Sequence, residues 1–257
     1  MSVTNLFLKV AKGEPMRSQP YIELQREVGI IGNMYQGNYS PRQILITRQE
    51  TIAKYNLQPG ALRENIVVSG FPVDDLQSGQ LVRIGTAEIR ITFGCEPCGF
   101  VEKLQPGLLR QIEGERGVLS IVYRGGAIKL GDSIDYVAGK AFPAVPYKII
   151  DRFAWLVAQI PEGKVLSYKQ IIEGLGLWVS VYRALPAFIR RLDSEKYPVH
   201  RIVNSAGELL PQVELQLEKL TAEGVIVTDS KLDLEKYSWD TAGLYLREIH
   251  ELDSNWL

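Results

Sequence analysis

The chain has little of what specialised chemistry usually needs. It holds two cysteines, Cys95 and Cys98, both inside FGCEPCGF, and two histidines, His200 and His250, in 257 residues. A structural zinc site takes four ligands, usually as two Cys or His pairs. The two histidines stand far apart and form no such pair. A disulfide across the two residues between the cysteines would be a redox device rather than a scaffold. So sparse a cysteine content suits a reducing compartment. No apolar run approaches the roughly 20 residues that cross a bilayer. The short apolar stretch of MSVTNLFLKVAKGEP is followed by Lys9 and Lys12, the reverse of a secretory signal, so a cytoplasmic protein is expected. An excess of charge is also missing: the net value of -1 names no partner.

What is there is the composition of an ordinary globular protein, 46% hydrophobic and 23% charged, in a length that suits two domains. To about Asp135, short runs rich in Val, Ile and Thr alternate with Gly-containing turns, as in RQILIT, ENIVVSG, GQLVRIGTAEIRITFG and GVLSIVYRGGAIKLGDSI. This pattern predicts a mixed β-barrel or folded sheet. Helical interruptions are expected at RQETIAKYN and PGLLRQIE. In AGKAFPAVPYK, small residues with Pro143 and Pro146 predict a stiff, poorly structured connector.

Beyond the connector the periodicity becomes helical. YKIIDRFAWLVAQIPEG carries apolar residues at 149, 150, 153, 156, 157 and 160, one helix face, ended by Pro161 and Gly163. SYKQIIEGLG reads as a short helix with Ser167 as N-cap and Gly174 or Gly176 as its stop. VYRALPAFIRRLDS and VELQLEKLTAEG are two further helical stretches. VIVTDSKLDLEKYSW closes as a strand pair or extended segment, and the last seventeen residues are expected to form a loose helix. The expected class is therefore α+β in two domains, at 1–140 and 144–240, with a tail over 241–257. Seven basic residues lie between Lys164 and Arg201, with Glu162, Glu173, Asp193 and Glu195 close by. Such a face suits either a modest contact with phosphates or a plain solvated surface.

In order and at suitable spacing, IPEGKVLSYKQIIEGLG, YRALPAFIRRL, YPVHRIVNSAGEL and LEKLTAEGV resemble the winged-helix-like DNA-binding domain of alkylguanine-DNA alkyltransferases. Among these, the chain is most similar to the alkyltransferase-like proteins that lack the acceptor cysteine. In the family, a Pro-Cys-His-Arg motif sets a cysteine beside a histidine, which a glutamate orients. The thiolate is then the nucleophile. Here the tetrad reads Pro198, Val199, His200, Arg201, and Glu223 stands at the glutamate's place. Val199 has no lone pair, so the resemblance implies a domain that binds alkylated or distorted DNA without accepting an alkyl group. His200 and Glu223 would then be a remnant, serving as a hydrogen-bonded pair that holds the core. The resemblance makes Arg183 the side chain that fills the gap left by a flipped base, a role suited to a planar cation, and Tyr168 the group pressed on the adjacent phosphate. Arg201 joins them as a DNA-binding candidate. Tyr168 as a buried ring and Arg183 as a surface charge are the plainer alternatives. One departure has a structural consequence. Where the family has Gly, this chain has Pro186. Pro is tolerated only in the first turn, which puts the helix start near Leu185 and Arg183 outside the helix.

The first half resembles the MOSC domain, named for the C-terminal part of molybdenum cofactor sulfurases, through GIIGN, RQILIT, PGALRENIVVSG, GQLVRIG, EPCGFVEKLQPGLL and GVLSIVYRGGAIKLGD. The resemblance implies a β-rich, barrel-like fold and one important cysteine, Cys98 by its place before QPGLL. That thiol would ligate molybdenum in a molybdenum cofactor or carry sulfur as a persulfide, with Cys95 as a resolving partner. Pyridoxal phosphate binding and a sulfur- or molybdenum-transfer partner protein come with the same resemblance. Arg42, Arg63 and Asn65 are the candidate donors to a cofactor phosphate or oxo group, or else two surface charges and a turn residue. Where the family commonly has Asp, Asn33 offers an uncharged amide, which serves neither as base nor as anionic ligand. Two readings follow: a non-catalytic DNA-binding protein, or a sulfur and molybdenum cofactor handling protein whose second domain is a scaffold.

Overall fold

The structure, a computed structural model, describes residues 1–37, 40–140 and 142–248. The chain divides into two compact units, Met1–Val145 together with the chain from Ala242 onward, and Pro146–Thr241.

Among the described residues the first unit has eleven strands: β1 Ser2–Leu8, β2 Arg17–Gln19, β3 Tyr21–Gln25, β4 Gly29–Ile30, β5 Ile44–Arg48, β6 Ile66–Ser69, β7 Leu81–Ile84, β8 Ala87–Gly94, β9 Val118–Arg124, β10 Gly126–Lys129 and β11 Ile134–Tyr136. Eight form one sheet in the order β11-β7-β8-β9-β5-β6-β1-β2, and β10-β3-β4 form a second. Most neighbours are antiparallel, but β5 and β6 run parallel, with the helix α1, Gln49–Lys54, in the crossover between them. Val3, Leu6, Ile22, Ile44, Ile46, Ile66, Ile89, Ile91 and Val122 share one buried core.

The expected barrel does not close as a ladder among the described residues, because β11 and β2 remain the sheet's edges. The sheet nonetheless curls. The Val3 amide donates to the Asp132 carbonyl at 2.9 Å, and the Gly131 amide to the Val3 carbonyl at 2.8 Å. The turn before β11 is thereby tied back onto β1, and a bulge between Val3 and Asn5 adds local twist. Two short helices, α2 Gly99–Leu104 and α3 Leu108–Gln111, pack Val101, Leu108 and Ile112 against Tyr55 and Leu62.

The connector is irregular but anchored. As its small residues and prolines predict, its described residues form no helix or strand, yet Phe142 and Val145 are buried. Phe142 lies edge-on to Tyr123 with centroids 5.2 Å apart. Arg90 of β8 has its guanidinium 5.0 Å from the Phe142 ring and donates to the Pro143 carbonyl at 2.6 Å. Burial lowers this arginine's pKa to about 10, because desolvation penalises the charged form. The returning C-terminal segment is fastened to the same strands. Glu248 accepts from Tyr123 at 2.7 Å and from Lys140 at 2.6 Å, and Leu244–Leu246 forms one 3-10 turn. Of the last seventeen residues, expected as a loose helix, the described ones to Glu248 carry that 3-10 turn and no α-helix; the rest, with His250, lie outside the described residues.

The second unit contains α4 Ile149–Val157, β12 Leu166–Ser167, α5 Tyr168–Gly174, α6 Leu185–Arg191, β13 Ile202–Val203, α7 Gln216–Ala222, the hairpin β14 Val227–Thr228 with β15 Lys231–Leu232, and α8 Leu234–Tyr237. The apolar stripe of α4 buries Phe153, Leu156 and Val157. Ser167 caps α5 in a full capping box, with Gln170 reaching back. The parallel pair β12 and β13 is the element that matters for the site, because it sets the end of the Pro198–Arg201 tetrad beside the start of α5. No helix among the described residues is long and apolar enough to cross a membrane.

Candidate functional site

In the first unit, both cysteines are free thiols. Cys95 is buried, and burial pushes its thiol pKa up. Cys98 is half-buried and stands at the N-cap of α2. The guanidinium of Arg116, itself buried, reaches it. Nη1 is 3.5 Å from the Cys98 Sγ and 2.7 Å from the Glu96 carbonyl, and Nη2 donates to the Leu62 carbonyl. Arg42 is not the surface charge of the plainer alternative: it is mostly buried, pairs with Glu96 at 2.8 Å, and lies 5.1 Å from the Phe93 ring. Arg42 and Arg116 thus grip the Cys95–Cys98 loop through opposite ends of Glu96.

Arg63 is placed elsewhere. It is exposed, adopts φ 64°, and stacks 3.6 Å above Phe100. Together with Lys9, Met16, Pro59 and Gly60 it lines a cavity of about 460 Å³. Asn65 leaves the donor list. Its amide accepts from the Leu45 amide at 3.1 Å and donates to the Phe7 carbonyl at 3.3 Å, so both ends of the side chain are spent joining strands. Asn33 similarly accepts from the Lys9 amide. Arg116 and Glu96 were missed by sequence reasoning, and no local signal marks Arg116, whose contact with Cys98 spans 18 positions. Glu64 was also unmarked. It is fully buried, one of its oxygens lacks a hydrogen-bond partner, and burial raises its carboxyl pKa.

In the second unit, Val199–Arg201 forms a single 3-10 turn entered from Pro198. Val199 is 5% exposed, so an aliphatic side chain fills the tetrad's second position. Around it the rest of the arrangement is complete. Glu223 accepts from His200 Nε2 at 2.7 Å, from Arg201 Nη2 at 2.7 Å and Nε at 3.0 Å, and from the Gly163 amide at 3.0 Å. Arg201 also donates to the Ile160 carbonyl at 2.7 Å. Burial alone would raise the Glu223 pKa, but the donors Arg201, His200 and Gly163 and the Arg201 charge outweigh it and hold the carboxyl at about 2. Arg201, expected as a DNA contact, is therefore turned inward as the partner of Glu223. His200 Nδ1 is buried without a partner. Gln216 fixes the turn from below, donating to the carbonyls of His200 and Ile202 and accepting from the Leu210 amide. It too escaped sequence reasoning, although a polar residue on the apolar face of VELQLEKL was a signal.

Tyr168 begins α5 and is 6% exposed. Its hydroxyl accepts from Gln212 at 3.1 Å, and burial raises its pKa. The ring expected to face a phosphate is thus mostly covered, edge-on to Tyr182 with centroids 5.4 Å apart. Tyr182 shares a hydrogen bond with Ser205 at 2.9 Å.

As Pro186 predicts, α6 starts at Leu185 with the proline in its first turn. Arg183 lies in the 3-10 turn Val179–Ala184 that runs directly into it. Ala184 and Leu185 both have right-handed helical angles, so the helical path is unbroken and Arg183 stays on it. Arg183, Arg190 and Arg191 are exposed and make no hydrogen bond or ion pair among the described residues. Lys169 and Lys196 are exposed on the same unit.

The chain is similar to known proteins in both units. The family described as "MOSC domain" matches residues 39–135, and the family described as "6-O-methylguanine DNA methyltransferase, DNA binding domain" matches residues 150–225. A protein of Vibrio parahaemolyticus named "DNA base-flipping protein" is 32% identical over 88 residues, which are 33% of this chain and 88% of that protein. Among solved structures, Schizosaccharomyces pombe Atl1, crystallised with damaged DNA containing O6-carboxymethylguanine, is 28% identical, with 35% of this chain and 94% of that chain covered and a TM-score of 0.33. YiiM from Geobacillus stearothermophilus is 19% identical, with 74% of this chain and 98% of that chain covered and a TM-score of 0.47. A MOSC domain thus precedes a DNA-binding domain of the methylguanine methyltransferase kind, and through that second domain, with Val199 where sulfur would stand, the chain belongs to the alkyltransferase-like family of the base-flipping protein.

Proposed function

We propose that the second unit binds duplex DNA at an O6-alkylated guanine, turns the base out of the stack and keeps it there without chemistry. Flipping costs a few kcal/mol, least for a damaged base. Arg183 fills the vacated place, its planar cation stacking and hydrogen-bonding together. The exposed cations around it meet the phosphates, so affinity falls with salt. Tyr168 acts from within, holding Tyr182 and the turn that carries Arg183. The observation that carries this reading is the tetrad turn: His200, Arg201 and Glu223 are locked together around a position filled by Val199.

Titration of the full chain with matched duplexes, one carrying a single O6-methylguanine, tests it. The modified duplex is expected to bind at least tenfold more tightly. Arg183→Ala removes a stacked cation, and the modified duplex should then bind on the order of a hundredfold more weakly, the equivalent of about 2.7 kcal/mol. Equal affinity of the parent for both duplexes contradicts the reading.

A second reading concerns the first unit, because MOSC domains are associated with molybdenum cofactor. The residues present fit one soft, anionic group: a single accessible thiol with a guanidinium 3.5 Å away, and cations at a neighbouring cavity. Among the described residues no cluster of three or more His, Cys, Asp or Glu could hold a metal alone. Cys98 would supply the thiolate, while Arg63 and Lys9 would meet a phosphate. Such a group, when bound, supplies redox chemistry at its metal. Without it, Cys98 carries sulfur as a persulfide: its thiolate attacks the outer sulfur of a donor persulfide, the donor S–S bond breaks and the donor thiolate leaves, and the free thiols suit the cytoplasm. Mass spectrometry of protein made without reductant is expected to find added sulfur on Cys98 that reductant removes. An unmodified Cys98 in protein from cells supplied with molybdate and a persulfide sulfur donor contradicts this reading.

A further inference from the structure

The turn that carries Arg183 also carries an exposed apolar tip. Val179 is 82% exposed and Trp178 is 41% exposed, at the start of the 3-10 turn Val179–Ala184. In a 3-10 turn, side chains three apart lie one above the other. Val179 therefore shares a row with Tyr182, and Ser180 shares the next row with Arg183. The Tyr182 row is braced from behind, through its hydrogen bond to Ser205 and its edge contact with Tyr168. Large apolar side chains at a braced tip, beside an unpaired exposed cation, fit neither a core nor an ordinary solvated loop.

We propose that Val179, backed by Trp178, is an apolar wedge that enters the DNA groove one base step away from Arg183 and unstacks that step. The occupant is duplex DNA rather than a protein. The tip is continuous with the exposed cations Arg183, Arg190 and Arg191, which complement a phosphate backbone and would repel a basic partner. Apolar wedges at kinked steps are a general device for opening the groove. Arg183 then fills the place of the extruded base, and the wedge opens its neighbour. This inference rests on the DNA-binding reading above and assigns that site a second inserting residue.

The experiment places 2-aminopurine at the step beside a single O6-methylguanine and titrates the full chain, its Val179→Ser and Trp178→Ala variants, and Arg183→Ala. Val179 is so exposed that the serine variant should fold as the parent does, which the unchanged tryptophan emission of the free protein verifies. Val179→Ser is expected to bind the modified duplex about tenfold more weakly and to lose most of the 2-aminopurine rise. Its salt dependence should match the parent, since no phosphate contact is removed. Trp178→Ala should fall between parent and Val179→Ser. If Val179→Ser unstacks the neighbouring step as well as the parent does while Arg183→Ala does not, the wedge is wrong and the base-flipping reading stands. If the parent binds neither duplex, both fall together.

Discussion

Glu223→Ala is expected to destabilise the second unit by about 3–5 kcal/mol at neutral pH, the usual cost of removing one partner from a buried ion pair. The carboxylate satisfies four donor groups, and Arg201 and Glu223 expose only 17% and 11% of their side chains. Deleting it strands the Arg201 guanidinium and leaves His200, whose Nδ1 already lacks a partner, with neither nitrogen paired. Glu223→Gln keeps an acceptor and loses the charge, so an intermediate loss is expected. Trp155, Trp178 and Trp239 all lie in the second unit, so denaturant unfolding followed by tryptophan emission reads mainly that unit. The effect has a pH signature. The folded carboxyl, at about 2, lies below its ordinary 4.5, so the group stabilises the fold fully above about 4.5 and loses that contribution as pH falls towards 2. The gap between parent and Glu223→Ala should therefore narrow over this window and remain flat from pH 5 to pH 8. An unchanged midpoint for Glu223→Ala at neutral pH contradicts the role given to the cluster.

The same cluster has a structural role of its own. In an enzyme that uses a thiolate, the glutamate and histidine serve the nucleophile. Here they hold the 3-10 turn of Val199–Arg201 against the Gly163 loop. That turn in turn presents the start of β13 to β12, so the geometry of the site remains although the acceptor is gone.

Much of this was legible in the sequence because the signals are local. The stripe on α4 followed from a 3.6-residue period, and the start of α5 from Ser167. Pro186 alone fixed the first turn of α6, through its missing amide. What was not legible depends on contacts distant in sequence. Arg116 meets Cys98 across 18 positions, and Asn65, just before β6, bridges Leu45 of β5 and Phe7 of β1 only once those strands pair on either side of β6. Arg201 turns inward because Glu223, 22 positions on, outcompetes solvent for it. The connector's lack of regular structure was legible in its prolines, whereas its anchoring by Phe142 and Val145 was not. Two apolar pegs suffice to anchor a segment that composition marks as loose. Helix α2 escaped because six residues that begin with a glycine carry too little period to read.

The second large effect is a complete absence of transfer. Alkyl transfer needs a nucleophile at the alkyl carbon and a base to take its proton. Val199 is buried in the tetrad turn and has neither a lone pair nor an ionisable proton. His200 is spent on Glu223, and both cysteines, Cys95 and Cys98, belong to the first unit. The proposed function separates binding from chemistry, and one measurement reads both. A duplex with a radiolabelled methyl group on O6 of a single guanine is incubated with excess protein, the complex is isolated, and protein and DNA are then separated under denaturing conditions. The account predicts a stable complex from which all the label returns with the DNA, its methylguanine intact. Label bound covalently to the protein, at any residue, contradicts it.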